Sequence, residues 1–157
     1  MPLTQGETVP DFEALCCDGE TFQSRALSET LGDDGGLLVS TGFVFSAIAE
    51  NWYKRFEGYG WGSESVPLLG ISRDGPYAQN EFLRQNHLPF RLFADVSGEV
   101  SETLGLLTDR HHMANVATPR RSVFVLDADR EVQYAHVADD WISPLPRAEI
   151  GAALDEF

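Results

Sequence analysis

GLLVSTGFVFSAIAENWYKRFEGYGWGSESVPLLGIS, residues 36–72, carries the alternation on which the fold turns. Gly36 to Thr41 (GLLVST) is a continuous apolar run too short for a helix, which predicts a buried strand. From Phe45 to Tyr59 the positions Phe45, Ile48, Trp52, Phe56 and Tyr59 recur every three or four residues, the spacing of one helix face. Val66 to Ile71 (VPLLGI) is a second short buried strand. Strand, helix and strand in this order form a βαβ unit, with parallel strands and a right-handed crossover.

Outward from this unit the alternation continues. Toward the N-terminus, Phe12 to Leu15 reads as a short strand, Asp18-Gly19 as a hairpin turn, and Thr21-Phe22 as the start of the return strand. Ser24 to Leu31 fits a short helix stopped by Gly32. Toward the C-terminus, Pro76 to Gln85 opens with proline in its first turn and reads as a helix. Arg91 to Ala94 is a brief strand, and Ser97 to Leu104 a helix with Ser97 as candidate N-cap. Ser122 to Leu126 and Val132 to Val137 are strands around the turn Asp127-Ala128-Asp129, and Pro146 to Leu154 is a closing helix. The order predicts one α/β domain over residues 1–157. Its expected form is a thioredoxin-like sandwich: a central mixed sheet, helices on both faces and an N-terminal β-hairpin. A flavodoxin-like sheet is the alternative on pattern alone.

Composition narrows the function. Hydrophobic residues make up 43% of the 157 residues, enough for a core. No apolar run is long enough to span a membrane, and Met1 to Pro10 lacks a basic-then-apolar signal pattern, so a cytoplasmic location is expected. Acidic residues outnumber basic ones 25 to 11, for a net charge of −14. Such a surface repels nucleic acid and anionic membrane. Lys54 is the single lysine. Acid-rich, lysine-poor composition resembles that of proteins from salt-accumulating halophilic archaea, in which salt screens the self-repulsion.

Four segments together resemble a known family. Gly6-Glu7-Thr8-Val9-Pro10-Asp11-Phe12 is similar to the G-x-x-A-P-D-F opening of peroxiredoxins, the alkyl hydroperoxide reductase and thiol-specific antioxidant family. Leu69 to Asp74 resembles its G-[IV]-S-x-D strand, Pro89 to Asp95 its F-x-L-L-S-D segment, and Arg121 to Asp127 its R-x-x-F-[IV]-[IL]-D strand. The resemblance implies thiol-dependent peroxide reduction. Its chemistry sits on P-x-x-x-T-x-x-C at the head of a helix. There a thiolate attacks the peroxide, its pKa lowered by the helix N-terminus and an arginine. The threonine hydroxyl holds the peroxide oxygens and the arginine stabilises the leaving oxygen.

The matching segment here is Gly42-Phe43-Val44-Phe45-Ser46-Ala47-Ile48-Ala49. Ser46 stands at the threonine position, Gly42 at the proline and Ala49 at the peroxidatic cysteine. Phe56 fixes the register, Trp52 replaces a glutamate, and Lys54 occupies the place where one subclass carries a resolving cysteine. A methyl group has no lone pair and cannot attack an O–O bond. In this register the standard catalytic residue is therefore missing. Ser46, Gly42 and Arg121 remain as pocket or binding residues for a small anionic ligand. Arg121 otherwise pairs with surface acid, and Arg120, facing the other way, is expected in solvent.

Cys16 and Cys17 are the only cysteines, adjacent at the end of a predicted strand. Either they form a relocated redox centre, or one is a buried thiol and the other an inert, partly exposed one. Asp11, Glu13, Asp18 and Glu20 nearby raise a thiol pKa. His111-His112-Met113 reads as a polar loop without metal spacing, and neither metal nor cofactor is expected. His87 and His136 are isolated. Trp52 is expected in the core; Tyr53, Tyr59, Trp61 and Trp141 are shared between core and a dimer interface. Two functions follow. One is a cysteine-less, non-peroxidase binding or regulatory homologue that forms a homodimer or pairs with an active peroxiredoxin. The other is an oxidoreductase using Cys16 or Cys17. A third, unrelated activity in the same pocket lacks a visible acid–base pair.

Overall fold

Short strands, the central ones buried on both faces, assemble into one sheet in a computed structural model that describes residues 2–157. The strands are β1 (Glu13–Cys17), β2 (Phe22–Ala26), β3 (Gly36–Ser40), β4 (Leu68–Ser72) and β5 (Arg91–Ala94), followed by β8 (Ser122–Leu126) and β9 (Val132–Val137). Two more, β6 (Leu107–Arg110) and β7 (Val116–Pro119), make a separate ribbon. The sheet order is β2-β1-β5-β4-β3-β8-β9. β3, β4 and β5 run parallel; β1 and β8 join them antiparallel. The antiparallel β8 beside β3 gives the mixed sheet of the thioredoxin-like sandwich rather than the flavodoxin-like alternative.

Alternation along the strands sorts the core into two layers. Leu37, Val39, Leu68, Leu92, Val123 and Val125 face one side, under the helices α2 (Ala47–Gly58), α3 (Pro76–Gln85) and α5 (Arg147–Leu154). Leu38, Leu69, Ile71, Phe93, Phe124 and Leu126 face the other, with residues of α1 (Leu27–Thr30) and α4 (Glu99–Thr103). Each fully buried aliphatic or aromatic side chain here contributes roughly 1.5–3 kcal/mol.

The acids of the four resembling segments hold loops. Asp11 accepts from the Ser28 amide at 2.8 Å, Asp74 from the Val44 amide at 2.8 Å, and Asp95 from the Val100 and Ser101 amides at 3.1 and 2.8 Å. Asp127 accepts from the Asp129 and Glu131 amides, both at 2.9 Å, and closes the β8–β9 turn. These carboxylates satisfy backbone donors that would otherwise lack partners. They position the chain.

Three local expectations need correction. The helix expected over 24–31 is four residues, Leu27–Thr30, because Ser24 to Ala26 are drawn into pairing with β1. Phe45 lies outside α2, which starts after the Ser46 cap, and it is 46% exposed with its edge on Phe82. Gly98, not Ser97, is the N-cap of α4, because the Asp95 carboxylate already takes the first-turn amides. His111–Met113, read as a polar loop, is an exposed 3-10 turn continued by Ala114 and Asn115 at φ 54° and 61°; the strands on either side of it, paired as the β6–β7 ribbon, were not expected.

Candidate functional site

β3 delivers the chain to the end of the sheet where β4 and β5 also terminate, the usual ligand side of parallel strands. The next residues are pinned at several points. The Thr41 amide donates to Ile71 O at 3.0 Å, and the Arg73 amide to Gly42 O at 3.1 Å. The Val44 amide donates to Asp74, which also accepts from Ser72 Oγ at 2.7 Å. Gln79 Nε2 supports Ser72 at 2.9 Å. This lattice fixes the head of α2.

Ser46 caps α2. Its Oγ accepts from the Ala49 amide at 3.3 Å and donates to Phe43 O at 2.8 Å. Such a cap is worth about 1 kcal/mol. Ala49, in the first turn, is fully buried. One turn further, Trp52 and Tyr53 are both buried, so the core claims Tyr53 as well as Trp52. The Tyr53 hydroxyl leans toward Thr41 without a formed hydrogen bond, and burial pushes its pKa up.

Arg121 enters from the start of β8 and is 1% exposed. Its guanidinium stacks 4.8 Å above the Trp52 ring and donates to Ser143 O and Asp140 O, each at 3.1 Å. The Asp140 carboxylate stands 3.5 Å away. Burial lowers the Arg121 pKa and Asp140 opposes that shift. Hydrogen bonds from Ser143 and from the Ile142 amide hold the Asp140 carboxyl below its ordinary range. His136 lies in the same region with Nε2 buried and without a partner; burial and Arg121 lower its pKa. Arg120 is partly exposed. Among the described residues no hydrogen bond joins Ser46 to Arg121: one serves a helix cap, the other a loop.

Gly42 is buried and faces the ribbon. A Cβ there would stand 3.3 Å from both Arg110 Nη1 and Thr118 Oγ1. Arg110 lies 3.9 Å over the Trp141 ring. Sequence reasoning missed Arg110 and Thr118, because it placed both in a loop. The usable signal was Asn115, a residue tolerant of left-handed backbone, between two short β-favouring runs.

Cys16 and Cys17 sit on β1 as free thiols, 5% and 0% exposed. The expectation that one is partly exposed fails, because β1 lies between β2 and β5. Burial, more than charge, pushes both thiols up, Cys17 to about 12. Of the neighbouring acids only Asp18 adds to this, while Arg91 and Arg25 pull Cys16 back. Both thiols are therefore protonated at neutral pH and poor nucleophiles.

At the opposite end of α2 a groove of about 950 Å³ runs between Tyr59, Trp61 and α5, with Arg147 stacked 3.7 Å over Tyr59. None of the expected site residues lines it.

The AhpC/TSA family model matches residues 5–135. No curated protein matches the sequence. Among solved structures, the peroxidoxin BcpB of Mycobacterium tuberculosis is similar at 23% identity and TM-score 0.79, covering 98% of this chain and 95% of that one. The reduced 2-Cys peroxiredoxin of Plasmodium vivax is similar at 18% identity and TM-score 0.79, covering 98% of each chain. A peroxiredoxin-like protein from Aquifex aeolicus is similar at 19% identity and TM-score 0.80, covering 100% of this chain and 90% of that one. At these identities the likeness establishes the fold.

Proposed function

The chain belongs to the AhpC/TSA family, and from that premise we propose that it keeps the family scaffold without the family's thiol chemistry, serving as a binding or regulatory homologue. The observation that carries this is Ala49: a methyl group, fully buried in the first turn of α2, where the motif resemblance puts the attacking sulfur. Two further observations support it. The Arg121 guanidinium, the resemblance's electrophilic partner, is already held by Asp140 and Ser143. The two thiols the chain does have are buried and protonated.

Peroxide consumption by the purified chain, with a thiol reductant in molar KCl, is expected at the protein-free rate. Cys16 and Cys17 are expected to stay unmodified by mass spectrometry. Ala49→Cys is expected to remain inactive as well, since the new thiol would be buried and the Arg121 guanidinium is already committed elsewhere. Turnover accompanied by sulfenic acid or disulfide at Cys16 or Cys17 would replace this reading with the relocated-thiol oxidoreductase. The ligand in this proposal is a small anion at the head of α2, near Gly42 and Ser46.

The same proposal makes the chain one half of an assembly, as a homodimer or paired with an active peroxiredoxin, in a halophilic cytoplasm. Tyr77 and Ile142, 77% and 83% exposed, are apolar side chains that a partner would cover. Sedimentation in about 0.1 M and about 2 M KCl, with melting curves on the same samples, tests both points, because screening is far stronger in the second. A dimer and a higher Tm are expected at high salt. A monomer at every concentration, or a Tm that falls with salt, sinks the corresponding part.

A further inference from the structure

We infer that Arg110, admitted to the head of α2 by Gly42, is the cation of an oxyanion site that takes a small organic carboxylate. The inference deepens the anion-binding reading above and rests on it, but moves the recognising charge from Arg121 to the β6–β7 ribbon.

The first support is an unspent charge. Acids outnumber bases 25 to 11, yet Arg110 has been given none of them. The described ion pairs use Lys54, Arg84 and Arg121. Among the described residues no acceptor bonds the Arg110 guanidinium, although the side chain is half-buried. Its flat face lies on Trp141 at 3.9 Å. Stacking satisfies the face of a guanidinium and leaves its edge of N–H donors open, the edge that matches a carboxylate in bidentate fashion.

Strand register supplies the second. Arg110 pairs with Val116, Thr108 with Thr118, and Asp109 with Ala117. Directly paired residues share a face, and successive residues alternate. Arg110, Val116, Thr108 and Thr118 therefore occupy one ribbon face, and Asp109 the other. The face carrying the cation is free of the ribbon's own acid. Val116, 39% exposed beside Arg110, offers an apolar surface for the body of the ligand.

The third is the fit at Gly42. Arg110 Nη1 and Thr118 Oγ1 both approach to 3.3 Å of the point where a Cβ would stand. The Thr118 hydroxyl is fully buried and unpartnered, as is that of Thr41, next in the chain to Gly42. A buried hydroxyl without a partner is costly, and an oxyanion would relieve it. Glycine thus makes room for the guanidinium where the motif resemblance has a proline ring. Asp139 and Asp140 directly precede Trp141 in sequence and oppose an incoming anion, although Asp140 is already turned to Arg121. Binding is therefore sensitive to ionic strength and is measured at a fixed one.

The experiment is a titration of the ¹⁵N-labelled full chain with sodium propionate at constant ionic strength, with propionamide as the uncharged isostere. The Arg110 Nε–Hε and Gly42 amide resonances are followed. Saturable shifts of both with propionate, and none with propionamide, are expected. Arg110→Gln removes the charged donors and is expected to weaken binding about tenfold or more, the worth of one charge-assisted hydrogen bond. Gly42→Ala keeps the charge and crowds Nη1, which gives way by a few tenths of an ångström, so a smaller weakening than in Arg110→Gln is expected while the amide spectrum remains that of a folded chain. A wild-type spectrum unmoved by propionate, or an unchanged affinity in Arg110→Gln, overturns the inference. Shifts centred on Arg121 and Ser46 would overturn it and leave the anion-binding reading standing. Peroxide turnover in the separate assay would remove the non-peroxidase reading and leave the Arg110 site intact.

Discussion

Arg121→Ala is expected to destabilise the fold by about 2–4 kcal/mol, the cost of emptying a fully buried site and taking charged donors from two carbonyls. The side chain is 1% exposed and fills the space between Trp52 and the 139–143 segment. Its loss leaves the carbonyls of Asp140 and Ser143 without their donors, and strips a cation from the Trp52 face. Urea unfolding with the m-value held constant gives the number. Arg121→Lys separates the contributions: it keeps the charge but cannot fork to two carbonyls, and should recover no more than about half of the loss. A change below about 1 kcal/mol for alanine would mean that the segment is held by something else. Because Asp140 is exposed, its own ion pair with Arg121 adds little.

Gly70→Ala is the second large effect, about 3 kcal/mol destabilising, at the upper end of what overpacking usually costs. A Cβ at position 70 would land 2.3 Å from the Tyr53 hydroxyl and 2.4 Å from Leu92 Cδ2. Neither can withdraw, since both residues are fully buried, and Tyr53 sits edge-on to Phe56 and Phe82. The clash makes a sharp test of its own cause. Tyr53→Phe removes the hydroxyl, which has no formed hydrogen bond to lose. The double variant Tyr53→Phe, Gly70→Ala is therefore expected to recover about 1 kcal/mol relative to Gly70→Ala alone, a coupling read from a double-mutant cycle in thermal unfolding. Additive effects would place the strain at Leu92 instead.

Most of the sheet was legible because its central strands β3, β4 and β8 are apolar on both faces and its longer helices on one. Pro76–Gln85, Arg91–Ala94, Ser122–Leu126 and Val132–Val137 fall where the pattern puts them. The misses have two causes, and in the first tertiary pairing overrode local preference. Ser24 to Ala26 carry no strand signal of their own and become strand only because β1 lies alongside. The β6–β7 ribbon hides for the opposite reason, since it is partly exposed and polar and borrows its order from the Gly42 loop it covers. The absence of a nucleophile at position 49 could be read from the sequence alone. That Arg121 is spent on a loop could not, because Asp140 and Ser143 lie nineteen and twenty-two residues away and nothing in their spacing announces the contact.

The two thiols inside β1 have a consequence beyond their lack of reactivity. The β1–β2 hairpin is fastened to the rest of the sheet along β5 by three residue pairs, Leu15 with Ala94, Cys16 with Phe93 and Cys17 with Leu92. Two of the three pairs are the cysteines themselves. Asn80 and Arg84 of α3 also hold the hairpin turn through Gly19, so the sulfurs meet solvent when seam and turn part together, a local event at one flank of a seven-stranded sheet that is suited to precede unfolding of the whole molecule. The chain carries its own clock for that local event: the pace at which Cys16 and Cys17 become alkylated under native conditions is the pace at which the hairpin comes away.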